Sequence, residues 1–239
     1  MADQLLFKNF GKHYDLIYSS KNYKQEANKI KKLISKYKKS SGKELLEVAC
    51  GTGRYLKYFK KGFSCTGVDI NRGVLKVAKK NIKGIDFVQA NMINMKLNKK
   101  FDVILCLFAS IGYVKTYANL RKTIKKFSEH LKKGGVIIIE PWFNKKTYKT
   151  GFHSTIYRGN EVDIVRLRDS KIFGNNSLID MHYLLAEKNK PVKYLVDKHT
   201  LGLFNVDKTL KLMRTVGLKT TFVKNGLVKE KGLYVGVKN

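Results

Sequence analysis

Residues 44–53 form an apolar run that leads directly into a glycine turn, and this segment limits the possible folds more than any other. Its sequence is ELLEVACGTG, and a helical pattern of apolar residues follows at Tyr55, Leu56 and Phe59. A buried strand, a tight turn and a helix form the repeating unit of parallel sheets that are covered on both faces. The segment therefore predicts an α/β fold.

The same alternation of apolar strands and helical patterns continues through residue 142. Strands are predicted at 44–50, 64–70, 85–91, 101–109 and 136–142, and helices at 22–39, 52–60, 73–82 and 118–131. We expect Gly134 to adopt the left-handed conformation after the last of these helices. A helix at 206–217 and an antiparallel edge hairpin at 218–225 and 231–238 complete a Rossmann-like fold with a mostly parallel sheet of seven strands.

The pattern changes between residues 144 and 204, where apolar and polar residues alternate. The segments 161–168, 177–185 and 192–204 have the two-residue period of strands, and the turn-forming sequences FGNN and KNKP separate them. The helical period is absent from this stretch. It predicts a small antiparallel sheet inserted into the α/β domain.

The glycine turn indicates which ligand the main sheet holds. Dinucleotide-binding sheets carry G-x-G-x-x-G, whose third glycine permits close packing of helix and strand. Here Gly51 and Gly53 fill the first two positions, but Leu56 fills the third. The sequence therefore favours S-adenosylmethionine, a ligand without phosphate that needs only a close approach of the backbone.

Three polar residues stand at the ends of neighbouring predicted strands. Glu47 is near the end of the first strand, Asp69 ends the second, and Asn91 ends the third within QAN. In open α/β sheets the ligand lies beyond the carboxyl ends of the strands, where an acid accepts hydrogen bonds from the ribose hydroxyls. We expect Glu47 to position the cationic methionine end, Asp69 to hold the ribose and the Asn91 amide to contact the adenine edge.

Together these motifs resemble the class I S-adenosylmethionine-dependent methyltransferases and, more narrowly, the nucleotide-sugar N,N-dimethyltransferases. The narrower resemblance includes YDLIY at 14–18, NYKQEA at 22–27, LLEVACGTG at 45–53, FASIGYV at 108–114, EHLKKGGVIIIEPWF at 129–143, HTLGLF at 199–204 and KGLYVG at 231–236. It implies methylation of a sugar 3-amino group on a thymidine diphosphate carrier. We expect residues 1–143 and 205–239 to form the cofactor-binding domain, and the insertion at 144–204 to cover the acceptor site.

Two positions depart from that family's pattern. Asn91 stands where the family usually carries aspartate, and Lys231 stands where its C-terminal G-P-S-G-R-G-L-F segment carries arginine. Arginine binds a phosphate through two hydrogen bonds, whereas lysine binds it as a point charge. The lysine therefore leaves a different acceptor amine open.

The resemblance and the positions along the strands also imply a set of site residues. Tyr18, with Tyr14, is expected to position the acceptor, and Tyr23 to contact the methionine end of the cofactor. His182 in the inserted sheet is the candidate base, with a purely structural histidine as the open alternative. The predicted cofactor contacts are Tyr14, Tyr23, Glu47, Ala49, Gly51, Gly53, Asp69, Ile70, Asn91, Met92 and Leu107. The predicted acceptor contacts are Tyr18, Ser110, Tyr113, Trp142, Arg166 and Lys231, of which Tyr18 and Tyr113 join His182 as the predicted catalytic residues.

The net charge of +31, from 49 basic and 18 acidic residues, raises the question of a nucleic-acid substrate. Such a field attracts anions, but the basic residues are mostly lysines spread along the chain, as in a solvated shell. Enzymes that methylate base amines resemble each other in a D/N-P-P-F/Y motif after strand four, and here that position is CLFAS, without proline. We expect a small-molecule acceptor, with another amine or hydroxyl compound, a nucleic acid or a non-catalytic binding module as alternatives.

The cysteines and the apolar stretches indicate the compartment. Cys50, Cys65 and Cys106 form no CxxC pair and lie in or beside apolar runs, as buried thiols in a reducing compartment do. The longest apolar stretch, residues 103–114, is too short to cross a bilayer as a helix, and residues 1–10 lack a secretion-signal pattern. We expect a cytoplasmic enzyme without a metal or a membrane partner, and a homodimer is left open.

Overall fold

The computed structural model of the chain describes residues 14–19, 21–228 and 230–239, without the side chains of Tyr14 and Asp15. It divides into two compact units. One comprises Asn22–Thr147 and Gly202–Asn239, and we call it the α/β unit. The other, the inserted unit, comprises Tyr148–Leu201 together with the described part of the first 21 residues. A helix that is both long and apolar enough to cross a membrane is absent from the described part of the chain.

The α/β unit contains the predicted seven-stranded, mostly parallel sheet. Its strands are β1 (Glu44–Val48), β2 (Ser64–Asp69), β3 (Asp86–Gln89), β4 (Phe101–Cys106), β5 (Leu131–Ile139), β10 (Leu218–Val223) and β11 (Leu233–Lys238). Their order is β10-β11-β5-β4-β1-β2-β3, with β11 antiparallel to both of its neighbours. The predicted fold class and the antiparallel edge hairpin are therefore confirmed.

Helices cover both faces of this sheet, which explains why its central strands, β1 and β4, are almost completely buried. The helices of the unit are α2 (Tyr23–Tyr37), α3 (Leu56–Phe59), α4 (Arg72–Asn81), α5 (Tyr117–Glu129) and α6 (Val206–Arg214), with a 3₁₀ helix at Ser110–Val114. One apolar cluster lies between the sheet and α2, α3 and α4, and a second lies between the sheet and α5 and α6. Side chains of Asn22, Asn71, Thr116 and Asn205 cap the N-termini of α2, α4, α5 and α6.

Two local predictions differ from the structure. The helix predicted at 52–60 is a single turn, α3, because Gly51 and Gly53 hold the preceding residues in left-handed turns. Gly134 has the predicted left-handed φ of 72°, but it lies within β5, and α5 already ends at Glu129. Its carbonyl accepts the N–H groups of two residues that follow α2, at 2.7 and 3.0 Å. The glycine therefore serves a close approach of two backbone segments rather than a helix end.

The inserted unit contains the predicted antiparallel sheet. Its strands, in the order β6-β7-β8-β9, are β6 (His153–Arg158), β7 (Val162–Phe173), β8 (Asn176–Glu187) and β9 (Lys193–Gly202). The short helix α1 (Tyr14–Ile17) belongs to the same unit. Ile17 packs with Ile164, Tyr183 and Leu185 in an apolar cluster on one face of the sheet. We call this the α1 face and the opposite one the outer face.

Candidate active site

The register of the central strands brings two acids to one face of the main sheet. Glu47 in β1 lies beside Gly67 in β2 and beside Leu105 in β4. Side chains two residues apart on a strand point to the same face. Asp69, two residues beyond Gly67, therefore shares the face of Glu47, at the carboxyl edge where open α/β sheets bind their ligands.

A third acid, Glu140, reaches the same face from β5. Its N–H donates to the Cys106 carbonyl at 2.9 Å, which continues the ladder past the end of the strand. Ile138 pairs with Leu105 of the Glu47 row, and Glu140 lies two residues further on. Both Glu47 and Glu140 are almost completely buried. In this strongly basic chain, the candidate cofactor edge therefore carries buried carboxyl groups.

The turn after β1 leaves backbone open beside these acids. Ala49, Gly51 and Gly53 have φ values of 56°, 55° and 78°, a region that strains alanine and suits glycine. A side chain at Gly53 would meet Ile82 Cδ1 at 2.8 Å, whereas no atom lies within 4 Å of the corresponding position at Gly51. The turn thus packs tightly at Gly53 and stays accessible at Gly51.

Backbone N–H groups hold the carboxylate of Asp69. Gly51 and Asn71 each donate to one of its two oxygens at 2.9 Å. Burial raises the pKa of the Asp69 carboxyl, and the surrounding N–H donors oppose that rise. Ile70, the next residue, exposes 44% of its surface. A fixed carboxylate next to an exposed apolar side chain suits a ribose and the adjoining base.

Glu47 is the most unusual polar group of the edge. It is 2% exposed, and the Leu56 N–H donates to its carboxyl group, but its Oε2 atom has no hydrogen-bond partner among the described residues. Burial, followed by the charge of Asp69, raises the pKa of Glu47 well above its ordinary value. A bound cation would offset the desolvation of this carboxylate.

The segment after β3 carries the residues predicted to contact adenine. Asn91 Oδ1 accepts the Ile93 N–H at 3.0 Å and so forms a turn, which leaves the amide NH₂ group for a ligand. Met92 is half-buried against the second apolar cluster. Asn91 therefore has the role of a turn former, and its predicted adenine contact stays a prediction.

Aromatic residues of α2 and of the turn before α3 cover the face that holds Glu47. Tyr23 packs edge-on against Tyr55, with ring centroids 5.0 Å apart, and the Arg54 guanidinium lies 5.1 Å from the Tyr23 ring. The Tyr55 hydroxyl donates to the Glu26 carboxylate. Burial, followed by the charges of Glu140, Glu26 and Glu47, raises the pKa of Tyr55, so its hydroxyl stays a proton donor.

The segment after β4 combines backbone strain with exposed aromatic surface. Phe108 and Ala109 have consecutive left-handed φ values of 56° and 59°, and each such non-glycine residue costs on the order of 1–3 kcal/mol. Leu107 is buried, Ser110 is half-buried, and both Phe108 and Tyr113 are 38% exposed. The strain indicates that the surrounding structure determines this loop closely, as is common in ligand sites.

Trp142 and Lys231, two predicted acceptor contacts, lie together in the α/β unit. The Lys231 Nζ atom is 4.6 Å from the Trp142 ring centroid and 4.8 Å from that of Phe143. The two aromatic rings contact each other edge-on at 5.0 Å. An ammonium group held against two aromatic rings is a positioned cation rather than a freely rotating surface lysine.

The α1 face of the inserted unit brings together a second group of predicted residues. Arg166 in β7 pairs directly with Tyr183 in β8, and its guanidinium lies 5.1 Å from the Tyr157 ring. Burial raises the pKa of the half-buried Tyr18 to about 12, although the positive charge of Arg166 lowers it. Tyr18 is therefore neutral at physiological pH and is suited to donate a hydrogen bond, not to take a proton as a base. The side chain of Tyr14 lies outside the described part of the structure, so its predicted role stays a prediction.

The structure does not bring His182 together with these residues. His182 pairs with Leu167, one position away from the Arg166–Tyr183 pair, and therefore points to the outer face of the sheet. Its ring stacks on Tyr194, and Nδ1 lies 2.6 Å from the Tyr194 hydroxyl. This arrangement favours the structural alternative for His182. His130 is engaged through both ring nitrogens, with Leu97 and Lys126, which is a structural role.

Two features of the two sites were not found in the sequence. Glu140 entered the sequence analysis only within the segment EHLKKGGVIIIEPWF, yet its Oε2 accepts the Phe108 N–H at 2.6 Å. Asp197 is buried on the α1 face, with its Oδ2 atom 3.3 Å from His199 Nε2. The alternation in β9 could have grouped Asp197 with His199, but not with β7 and β8. The place of Glu140 beside Phe108 could be found only from the pairing of β4 with β5, which the sequence does not show.

The residues of the α/β unit fit S-adenosylmethionine. Asp69 can accept the ribose hydroxyls, the backbone is open at Gly51, and the unpaired Oε2 atom of Glu47 suits a positively charged ligand. Among the described residues, no group of three or more histidine, cysteine, aspartate or glutamate side chains could hold a metal ion.

Comparisons of sequence agree with this arrangement. A family model described as a methyltransferase domain matches residues 45–135. Over 228 residues the chain is 32% identical to dTDP-3-amino-3,4,6-trideoxy-alpha-D-glucopyranose N,N-dimethyltransferase from Streptomyces venezuelae, with 94% of this chain and 95% of that protein covered. It is 26% identical over 229 residues to dTDP-3-amino-3,6-dideoxy-alpha-D-glucopyranose N,N-dimethyltransferase from Streptomyces fradiae, with 94% and 89% covered.

Solved structures give the same result. DesVI from Streptomyces venezuelae superposes with a TM-score of 0.90 at 30% identity, covering 97% of this chain and 99% of that one. The sugar N-methyltransferase KedS8 from Streptoalloteichus superposes with a TM-score of 0.87 at 28% identity, covering 95% and 92%. Coverage this complete includes the inserted sheet as well as the α/β unit.

Proposed function

The chain belongs to the S-adenosylmethionine-dependent methyltransferases, and we propose that it N-methylates the amino group of a sugar carried on a nucleotide. The observation that carries this proposal is the 32% identity to a dTDP-amino-sugar N,N-dimethyltransferase over nearly the full length of both proteins. A shared cofactor domain alone would support only methyl transfer. The similarity extends through the inserted sheet, which argues for a shared class of acceptor.

The chemistry asks little of the protein beyond binding and orientation. S-adenosylmethionine supplies a methyl group made electrophilic by its sulfonium, and a neutral amine can attack that carbon in line with the leaving sulfur. The chain must hold the amine at about 3–3.5 Å in this alignment and exclude water. No metal or covalent nucleophile is required.

We assign cofactor binding to the carboxyl edge of the α/β unit. Asp69 would hold the ribose, Glu47 would face the cationic part of the ligand, and the open backbone at Gly51 would receive the methionine portion. The remaining proposed contacts are Tyr14, Tyr23, Ala49, Gly53, Ile70, Asn91, Met92 and Leu107.

We assign acceptor recognition in the inserted unit to the α1 face. Arg166 would bind an anionic group of the acceptor, and the neutral Tyr18 hydroxyl would donate a hydrogen bond to the sugar. The raised pKa of Tyr18 supports a positioning role. Because the amine needs to lose only its own proton, water or a weak base can accept it.

The proposed acceptor contacts in the α/β unit are Ser110, Tyr113, Trp142 and Lys231. The strained Phe108–Ala109 segment precedes a 3₁₀ helix that has Ser110 at its start and Tyr113 near its end. Lys231, held against Trp142, would supply a positive charge to an anionic acceptor. Because lysine binds phosphate less specifically than arginine does, a small amine without a diphosphate is the second candidate acceptor.

We propose a homodimer, because Ile156, Leu167 and Leu184 form an exposed apolar patch on the outer face of the second sheet, which a second copy would cover. We also place the enzyme in the cytoplasm, because its three cysteines are buried, unpaired thiols.

Methyl transfer to a panel of acceptors tests the proposed function. The panel contains a dTDP-3-amino sugar, the corresponding free amino sugar and simple amines, each incubated with S-adenosylmethionine and analysed by mass spectrometry. We expect the sugar nucleotide to gain one or two methyl groups with the highest kcat/KM. Turnover of a simple amine with no methylation of any sugar nucleotide would overturn the assigned acceptor and leave the methyltransferase activity intact.

A further inference from the structure

The buried acids at the carboxyl edge of the main sheet have a charge pattern that ribose binding by Asp69 does not explain. Glu47 and Glu140 lie on the same face, from β1 and from the end of β5. They are 2% and 0% exposed. A buried carboxylate is costly without a compensating partner, so two of them at one ligand edge call for a physical reason.

The position of Glu140 is fixed from two directions. Its own N–H donates to Cys106, and its Oε2 atom accepts the Phe108 N–H at 2.6 Å, a short bond typical of an ionised acceptor. The Phe108 backbone that donates this bond is strained, with a φ of 56°. The carboxylate is thus held rigidly beside the loop that begins the FASIGYV segment.

Glu47 complements Glu140 because one of its oxygens is unpaired within the described structure. The Leu56 N–H satisfies part of the carboxyl group, and Oε2 has no hydrogen-bond partner. A buried carboxylate of this kind gains stability when a positive charge is bound nearby. The product of methyl transfer offers no such gain at sulfur, since that atom becomes a neutral thioether.

We propose that Glu47 and Glu140 make the site discriminate the charged sulfonium cofactor from its neutral demethylated product. During transfer the amine lone pair forms the new N–C bond while the S–C bond breaks, and sulfur keeps that electron pair. The positive charge passes to the acceptor nitrogen, which then releases a proton. The two carboxylates lose their partner at this step, which favours product departure. This inference rests on the cofactor assigned above and not on the identity of the acceptor.

The test compares three ligands by isothermal titration calorimetry on the full-length protein. S-adenosylmethionine carries the sulfonium, S-adenosylhomocysteine is the neutral product, and sinefungin carries a protonated amine in place of the sulfonium. The variants are Glu47→Gln and Glu140→Gln, which preserve shape, and in Glu140→Gln the amide oxygen can still accept the Phe108 N–H. Glu44→Gln is the matched control, because Glu44 lies at the opposite end of β1 and pairs with Lys99.

We expect each of the two variants to weaken binding of S-adenosylmethionine and sinefungin roughly tenfold, and binding of S-adenosylhomocysteine less than about threefold. Glu44→Gln should leave all three affinities unchanged. Equal weakening of all three ligands would overturn the proposal, because a purely structural role, or contact with the α-amino group alone, affects charged and neutral ligands alike. An unchanged ratio of affinities would also overturn it.

This outcome is separable from failure of the assigned function. If the unmodified protein bound none of the three nucleosides, the cofactor site itself would be wrong. If one variant failed to fold, which circular dichroism would show, the other variant carries the test. Acceptor identity affects neither result, because no acceptor is present in the titrations.

Discussion

The α/β unit and the inserted unit present different chemical groups to their proposed ligands. At the carboxyl edge of the α/β unit the groups are backbone N–H donors, a glycine turn and buried acids such as Asp69 and Glu47. On the α1 face of the inserted unit they are tyrosine hydroxyls and the Arg166 guanidinium. The first set suits a cationic nucleoside and the second an anionic, hydroxyl-rich molecule. Substitutions of Asp69 or Glu47 should therefore affect the nucleoside and leave the acceptor unaffected, and substitution of Arg166 should do the reverse.

The largest expected effect is on cofactor binding, through Asp69→Asn. Loss of a charged acceptor for the ribose hydroxyls should weaken S-adenosylhomocysteine binding about 100-fold, since hydrogen bonds to charged groups contribute about 1.5–3 kcal/mol each. Titration calorimetry measures this affinity, and KM for the acceptor should stay within a factor of about two. Asp86→Asn, at the exposed start of β3, is the control. If Asp69→Asn weakened cofactor binding and acceptor binding equally, the proposed division of ligands between the two sets of groups would be wrong.

Gly53→Ala tests whether the turn after β1 requires glycine at this position. The new Cβ would lie 2.8 Å from Ile82 Cδ1, at a φ of 78° that alanine rarely adopts. We expect a loss of about 1–3 kcal/mol in the free energy of unfolding, measured by chemical denaturation. Gly62→Ala, with no atom within 4 Å of its Cβ, should change this value by less than about 0.5 kcal/mol. A tolerated alanine at residue 53 would show that the turn can relax.

Arg166→Met should have the opposite effect to Asp69→Asn, because it should change acceptor binding and not cofactor binding. Removing the guanidinium from the α1 face should raise KM for the sugar nucleotide roughly tenfold and leave cofactor affinity unchanged. Arg158→Met is the matched control, because Arg158 pairs with Asp163 on the outer face of the same sheet. The comparison fails if both arginine variants raise KM equally.

The last effect is an alkaline loss of stability that involves Tyr18 and is absent at physiological pH. Its pKa of about 12 in the folded state exceeds the ordinary value near 10, so the unfolded chain releases this proton first. The stabilising difference is complete below pH 10 and is lost between about pH 10 and 12, at up to about 1.4 kcal/mol per pH unit. Tyr18→Phe should flatten that part of the stability curve, measured by chemical denaturation. An unchanged slope would place the Tyr18 hydroxyl in solvent.

The same comparison shows what the sequence could predict. Glu47, Gly51 and Asp69 were identified because a parallel sheet places the ends of successive strands at one edge, so their positions follow from spacing along the chain. The inserted sheet was also predicted, from its two-residue period. The two-residue period alone does not say which of the two alternating sets of side chains faces α1. His182 was therefore grouped with Tyr18, although the His182 side chain points to the outer face.

The remaining misses concern one contact between distant segments and the length of one helix. Glu140 lies 32 residues from Phe108, and only the pairing of β4 with β5 brings its carboxylate to that N–H. The helix predicted at 52–60 was too long. The left-handed Gly51 and Gly53 keep the chain out of a helix until Leu56, although the apolar period already includes Tyr55. The first case reflects tertiary structure that no local pattern contains, and the second reflects one local signal overriding another.

A crystal structure with S-adenosylhomocysteine and a dTDP-3-amino sugar bound together tests the account most directly. We expect the Asp69 carboxylate to accept both ribose hydroxyls of the nucleoside, and the sugar nucleotide to contact Tyr18 and Arg166. A sugar nucleotide bound away from the α1 face, or a ribose that does not contact Asp69, would contradict the account.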